Sequence, residues 1–484
     1  MAFPILGTPK PQFLDSTGAP ASGGSISVLD PTTDAEKASY PTADDADAGT
    51  NANTNPITLN ARGEPPGLWG LDDTAYKLII ADAKGATLYP IDDLRTSARH
   101  TQSFSQTASG DMSAALNAAF DAATGKVLVF TNPQTYSFTS KLTIHAGTTV
   151  FFNGTVLQTS GSDTSANSQI DVESNCRIDW LRTNTPTGET IRRVVNVTGD
   201  DVNIERVECL SVDQQNNRTS SQDAAFNVQG DRVTIGRLRT KKWDNGIMVE
   251  NNTDFSCDHL ECESYVRGFN ADICDRIAVQ SIKMYTASAN ATTLPGHNGV
   301  LLGDVRYSTF DNVTVLNPGE HGVRIGGSTT NPSHNISFGT VIVEKPGQCG
   351  FKINDGSGNR TLHINIGHLI VLDTSFGSTS TSNEDALHIE HADSINVGAM
   401  LAAPLDGSQA GFDGIYLHDV SNINIANPFI FDVANHGIHI HDLEGAFTFN
   451  KITISNPTII TCGANGIHID VATASSTLRH ILIK

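Results

Sequence analysis

Positive charge is in short supply. Lys and Arg number 31 against 52 Asp and Glu, a formal net charge of −21, and that excess argues against a polyanion-binding groove along the whole surface. Nucleic acid is therefore not an expected partner, and the acidity suits a multimer that must stay soluble. No apolar run approaches the roughly 18 residues of a membrane-crossing helix, so no membrane insertion is expected. The opening MAFPILGTPKPQF has a Lys only after a brief apolar stretch and lacks a long hydrophobic region and a cleavage site. It does not read as a secretory signal, so an external protein of this kind is expected to be released by lysis. The seven cysteines (Cys176, Cys209, Cys257, Cys262, Cys274, Cys349 and Cys462) are odd in number and irregularly spaced. Without a C-x-x-C or a Cys/His zinc spacing they read as reduced thiols, mostly filling a core. No phosphate loop, Ser/His/Asp context or metal-ligand spacing stands out, and neither metal nor cofactor is expected.

What the chain has in quantity is glycine, 42 residues, with much Ser, Thr and Asn, the look of a turn-rich all-β sequence. One short phrase recurs nine times: NGIMVEN at Asn245, RGFNADI at Arg267, NGVLLGD at Asn298, HGVRIGG at His321, CGFKIND at Cys349, DALHIEH at Asp385, DGIYLHD at Asp413, HGIHIHD at His436 and NGIHIDV at Asn465. Eight carry Gly in second place, with Ala386 the exception, and successive copies lie roughly 22 to 36 residues apart, the period of a solenoid. Apolar residues sit two apart inside each copy, the spacing of a strand. Gly before each strand suggests a corner whose backbone conformation is closed to bulky residues. A second alternating run follows many copies and ends near Asn-Pro, as at Pro318, Pro428 and Pro457. One such coil cannot bury its apolar face alone, but a stack of coils buries a continuous core. The expected architecture is a parallel β-helix.

Residues 1–95 lack the repeat. YKLIIAD and ATLYPID, joined by AKG, read as a hairpin, with weaker strands at Ser25–Leu29 and Thr54–Asn60, so the block is expected to be a small antiparallel β-domain. Residues 96–110 read as an unpatterned polar linker. Residues 111–125 hold apolar residues at helical spacing behind Asp111, a helix fit to cap the first coil of a solenoid spanning 126–484. At the other end, RHILIK matches the start of the second strand of a coil, so the chain is expected to stop mid-coil and to belong to a longer spike, or to be covered there by partners.

The N-terminal PKPQFLDSTGAPASGGSISVLD, NPITLNARGEPPG and YKLIIADAKGATLYPIDDL together resemble the head-binding domain of tailspikes from short-tailed bacteriophages. GDMSAALNAAFDAATGKVLVF resembles the entry of pectate-lyase-like β-helices, although Asn132, Pro133, Gln134, Thr135 and Tyr136 stand where those carry a Pro-Gly-x-Tyr turn. The resemblance implies an all-β chain whose right-handed, single-stranded parallel β-helix follows an N-terminal adaptor. It also implies a homotrimer in the virion tail, held by tail or portal-adaptor proteins. Such a spike binds host surface glycan, lipopolysaccharide or capsule, and often cleaves it as a depolymerase.

The repeat also sorts the outward residues into columns, because equivalent positions stack about 4.8 Å apart. From the fourth coil onward the outward face is rich in Arg324, Lys352, His388, Tyr416, His418, His439, His441 and His468. Such a face suits glycan binding, through hydrogen bonds and a flat aromatic surface, or contact between chains of a trimer. Glycoside hydrolysis needs paired carboxylates about 5–5.5 Å or about 6.5–9.5 Å apart, roughly one or two coil steps. Asp304 and Asp355, with Arg324 on the coil between, are the favoured pair. Glu250 with Asp272 and Asp419 with Asp442 also stand one step apart, and Glu390 between His388 and His418 is the best lone carboxylate. EHGVRIGGS and CGFKIN are similar to two motifs of the polygalacturonase branch of this fold, but NGVLLGD replaces the paired-Asp motif expected one coil earlier. The residues therefore leave open a glycosidase or lyase, a non-catalytic receptor-binding spike, and a secreted plant-cell-wall enzyme. The third is opposed by the missing signal and by the adaptor.

Overall fold

A computed structural model describes residues 2–4, 12–15, 17–31, 33–71, 75–95, 101–160, 163–189, 191–215, 224–263, 267–285, 297–326, 331–354, 360–374, 385–405, 413–442, 448–471 and 477–484. The chain divides into two compact units, one made chiefly of residues 1–102 and one of the remainder.

In the first unit, strands Ile57–Thr58, Ser25–Leu29, Ala75–Ala81 and Thr87–Arg95 form an antiparallel sheet in that order. Its alternating apolar residues, Ile26, Val28, Leu78 and Ile80 among them, are fully buried in one core. The expected hairpin is present. Asp82 accepts hydrogen bonds from the Lys84 and Ala86 amides at 2.8 Å each, and Gly85 supplies the left-handed residue at φ 83°.

The second unit is a parallel β-helix. Every strand from Leu142 onward pairs in parallel with its equivalent one coil later, so the backbone hydrogen bonds run along the helix axis. Leu, Ile, Val and Phe side chains from all coils share one continuous core. The segment read as a linker belongs in part to this unit: Thr101–Phe104 is a strand, and Phe104 is buried against Phe130 and Tyr136. Residues 96–100 lie outside the described residues. The expected capping helix spans Ser113–Ala122 and buries Leu116 and Phe120. Its Asn117 donates to the Lys141 carbonyl at 2.8 Å and accepts from the Thr143 amide at 3.2 Å, which satisfies the open edge of the Leu142–Ile144 strand. Asp111 is not the helix's N-cap. It accepts from Ser113 and from Thr139 across the coil, and those bonds hold its carboxyl down at about 2.

The corner that needs a left-handed backbone is not where the glycines are. Twelve non-glycine residues with φ near 50–70° fall in one column from Asn175 through Asp201, Arg232 and Asp254 to His480, one per coil. None of the eight repeat glycines has a positive φ. Their constraint is space. A Cβ on Gly299, Gly322 or Gly350 would lie 2.6–2.8 Å from the backbone oxygen of the next coil and 2.3–2.4 Å from a Val methyl group of its own coil. The one exception supports this reading. Val315, Val343, Val371, Ala402, Ile430 and Ile459 form the facing column, and Ala402 is the member in the coil where Ala386 replaces Gly.

The cysteines behave as core fillers. All seven are free thiols and six are buried, and burial pushes the thiols of Cys209, Cys257, Cys262 and Cys274 up to about 12. In the final coil RHILIK pairs with NKITIS, Asn450 opposite Arg479, and the apolar Ile467 and Ile469 are exposed where their equivalents Ile438 and Ile440 are buried.

Overpacking the glycine column is expected to cost about 1–3 kcal/mol in Gly350→Ala. Val371→Ala in the same chain recreates the Ala386/Ala402 combination and is expected to recover part of that loss. A double-mutant cycle by urea denaturation should therefore give a coupling of about 0.5–3 kcal/mol. Strictly additive losses would contradict the packing explanation.

Candidate functional site

The strand pairing places both expected columns in register. Met248, Asn270, Leu301, Arg324, Lys352, His388, Tyr416, His439 and His468 follow one another coil by coil. Beside them run Glu250, Asp272, Gly303 and Gly326, and then Asn354, Glu390, His418, His441 and Asp470. The second column is acidic at one end, bare of side chains at its two glycines, and rich in histidine at the other end.

The face is less exposed than its outward direction suggests. Lys352, His388, His418 and His439 are buried, while Arg324, Tyr416, His441 and His468 are half-buried. The cause is stacking between coils. The His388 ring lies flat on Tyr416 with centroids 4.7 Å apart, and the edge of His439 meets Tyr416 at 5.4 Å. A third column, missed from the sequence, holds these rings from the side: Asp385 and Asp413, the first residues of their phrases. Asp385 Oδ2 is 2.8 Å from His388 Nδ1 and Asp413 Oδ2 is 2.9 Å from His439 Nδ1. The signal was the D-x-x-H spacing of DALHIEH, which in a strand read by alternation alone looks like an ordinary turn aspartate.

Glu390 joins the same network. Its carboxylate accepts from Asn354 at 2.8 Å and lies 3.4 Å from His388 Nε2 and 3.2 Å from His418 Nδ1. The bonds from His388 and His418 outweigh its partial burial and hold it ionised, well below the usual carboxylate range. Burial opposes a proton on His388, but the hydrogen bonds to Asp385 and Glu390 prevail and raise its pKa. One residue further along, His391 Nδ1 is 2.9 Å from Asp419, which also pairs with Arg360. Of the other one-step pair that included Asp419, the side chain of Asp442 lies outside the described residues.

Of the favoured pair, Asp355 lies outside the described residues, and the charge of Asp304 acts on Asp272, one coil earlier. Asp304 and Glu250 are buried, and Asp272 stands opposite both Glu250 and Gly303. Burial first, then the charges of Asp304 and Glu250, raise the Asp272 pKa. Like charges held one coil step apart cannot all ionise freely. A Cβ on Gly303 would lie 2.8 Å from the Asp272 carboxylate, so the glycine also leaves that oxygen uncovered. Two coils on, His321 is buried and kept neutral by burial, with Lys352 and Arg324 adding to the effect. Arg324 makes no ion pair among the described residues. The arrangement offers a carboxyl with a raised pKa between two other carboxyl groups, a floor without side chains, and Lys and Arg side chains beyond it.

No protein-family model matches the chain, and no curated protein matches it. Among solved structures, the chain is similar to the catalytic unit of a GH87 alpha-1,3-glucanase from Streptomyces thermodiastaticus strain HF3-3, at 12% identity and a TM-score of 0.45 over 96% of this chain and 84% of that one. It is also similar to a family 28 exopolygalacturonase of Yersinia enterocolitica, at 9% identity and a TM-score of 0.36 over 86% of each chain. The mannuronan C-5 epimerase AlgE6 A-module of Azotobacter vinelandii gives 12% identity and a TM-score of 0.33 over 78% of this chain and 96% of that one. Likeness at this level transfers no activity to this chain.

Glu390 provides a test of the network by pH. A carboxylate whose folded pKa is depressed stabilises the fold above its unfolded pKa of about 4.3, and that contribution is lost as pH falls. Glu390→Gln is expected to lower stability at pH 7 by about 2 kcal/mol, the scale of a hydrogen bond to a charged group. The deficit should shrink as the denaturation series is carried toward acid pH, whereas a deficit independent of pH would mean that packing, not charge, holds Glu390.

Proposed function

We propose that this chain is a tailspike-type depolymerase that binds an acidic surface polysaccharide along the paired columns and hydrolyses it. The observation that carries the reading is Asp272, a carboxyl with a raised pKa between two carboxylates and beside a glycine floor. Asp272 donates its proton to the glycosidic oxygen, and Asp304 is the opposing carboxylate that meets the anomeric carbon or activates water. Acid-assisted glycoside cleavage requires one carboxyl that holds its proton beside a second that acts on the anomeric side. Arg324 and Lys352 then favour a sugar bearing carboxylate or another acidic substituent, bound over Gly303 and Gly326. The virion-bound homotrimer, and its attachment through residues 1–95 to tail or portal-adaptor proteins, rest on the resemblance of the N-terminal segments.

A non-catalytic adhesin is the second reading, and the ring stacking from His388 to His468 favours it. Rings packed on one another and tied to Asp385 and Asp413 make a rigid adhesive surface without any chemistry.

The readings separate on a panel of acidic bacterial surface polysaccharides, with chain length followed by size-exclusion chromatography. The depolymerase shortens one of them, and Asp272→Asn slows that cleavage by about 10²–10⁴-fold while leaving glycan binding in place. Binding without shortening across the panel would establish the adhesin. The pH profile adds a sharper criterion, since the acid must be protonated to act. Activity should fall as pH rises through the raised Asp272 pKa. Asp304→Asn, which removes one repelling charge, should move that fall to lower pH in whatever activity remains. An unmoved limb would exclude Asp272 as the acid.

A further inference from the structure

On the last two coils, strands Ile438–Asp442 and Ile467–Val471 pair in parallel, with His439 opposite His468 and His441 opposite Asp470. Residues two apart on a strand face the same side, so an H-x-H strand lies directly against an H-x-D strand. Asp470 Oδ2 is 3.6 Å from His439 Nε2, 3.7 Å from His441 Nδ1 and 3.2 Å from His468 Nε2. The ligand atoms of His439, His441 and Asp470 all lie within 4.8 Å of one another. His439 Nε2 and His441 Nδ1 are buried and have no hydrogen-bond partner among the described residues. Two buried ring nitrogens directed at one carboxylate oxygen from beyond hydrogen-bond distance ask for something between them.

We propose that His439, His441, His468 and Asp470 form a binding site for one zinc-class divalent cation. Bonds of about 2.0–2.2 Å to nitrogen and oxygen in a tetrahedron put neighbouring ligand atoms about 3.3–3.5 Å apart. The distances to Asp470 bracket that edge. Three imidazoles and one carboxylate suit zinc and its borderline neighbours, not calcium or magnesium, which prefer all-oxygen shells.

The surroundings prepare the ligands. Buried Asp413 lies 2.9 Å from His439 Nδ1, the carboxylate–histidine arrangement that in protein zinc sites turns Nε2 to the metal. His468 Nδ1 is 3.2 Å from the Asn465 side-chain amide, and an amide turned to offer its oxygen would free Nε2 for the metal. His468 and Asp470 are partly exposed, which gives the ion a path in. The ligands come in two H-x-[HD] pairs 29 residues apart, His439 to His468, and only the coil brings them together.

The full chain, stripped with chelator, is titrated with zinc chloride by calorimetry and with cobalt(II) by visible absorption. One ion per chain, a raised melting temperature and a tetrahedral cobalt band are expected, while calcium chloride leaves the melting temperature unchanged. His441→Ala and Asp470→Ala should each weaken zinc binding at least tenfold, and Asp413→Asn should weaken it by about 10–100-fold through the His439 ring. Circular dichroism confirms that each variant is folded, and the cobalt band of the unaltered chain stands independently of them. Absence of saturable zinc binding, or of that band, overturns the proposal, as does equal binding by folded His441→Ala and Asp470→Ala.

Discussion

The parallel backbone ladder between coils is the constraint on which everything else depends. The amide of each phrase's second residue donates to the carbonyl of the first residue of the next coil, from Gly268 to Asn298 and on through Gly299, Gly322, Gly350, Ala386, Gly414 and Gly437 at 3.0–3.1 Å. At this approach a Cβ would crowd the facing Val or Ile side chain, and Ala386 makes the same bond where the facing residue is Ala402. The glycines therefore serve contact, and the turn itself is left to Asn, Asp, Arg and other residues in the left-handed corner column. Asn and Asp tolerate that conformation best among residues with a Cβ.

Once the ladder fixes the register, electrostatics follows with little freedom. Any charge repeated at the same offset meets its like about 4.8 Å away. At Asp272, burial first and then the charges of Asp304, beside the facing Gly303, and of Glu250, directly in register, raise the pKa. At Glu390 the neighbouring coils supply histidines instead, and the carboxylate stays ionised. Arg324 and Lys352 lie between these regimes and help keep His321 neutral. One geometric rule thus places a carboxyl with a raised pKa, a carboxylate held ionised and two cationic side chains along a single face.

Much of the fold was legible in the sequence because alternation and period survive without tertiary context. The nine phrases, the hairpin at YKLIIADAKGATLY and the helix after Asp111 could all be read that way. The columns were legible too, since register is arithmetic once the period is known. Burial was not, because whether His388 and His439 meet water depends on rings and carboxylates from neighbouring coils. The reason for the glycines was misread for a related cause: close approach to the next coil and positive φ leave the same residue in the sequence. Phe104 escaped notice since a single aromatic in SARHTQSFSQTASG has no pattern to announce it. Asp304 was singled out at the strand-end offset, and its charge acts on Asp272 in the coil before it.

The central claim is that stacking in register, and not any remote part of the protein, sets the charge state of the acidic end of this face. Carbon-13 NMR titration of the Asp272 side-chain carboxyl in the full chain, assigned by difference from Asp272→Asn, measures it directly. The account predicts a midpoint above the ordinary aspartate value of about 3.9, falling when Asp304 is changed to Asn. A midpoint at or below that value in the unaltered chain would contradict it.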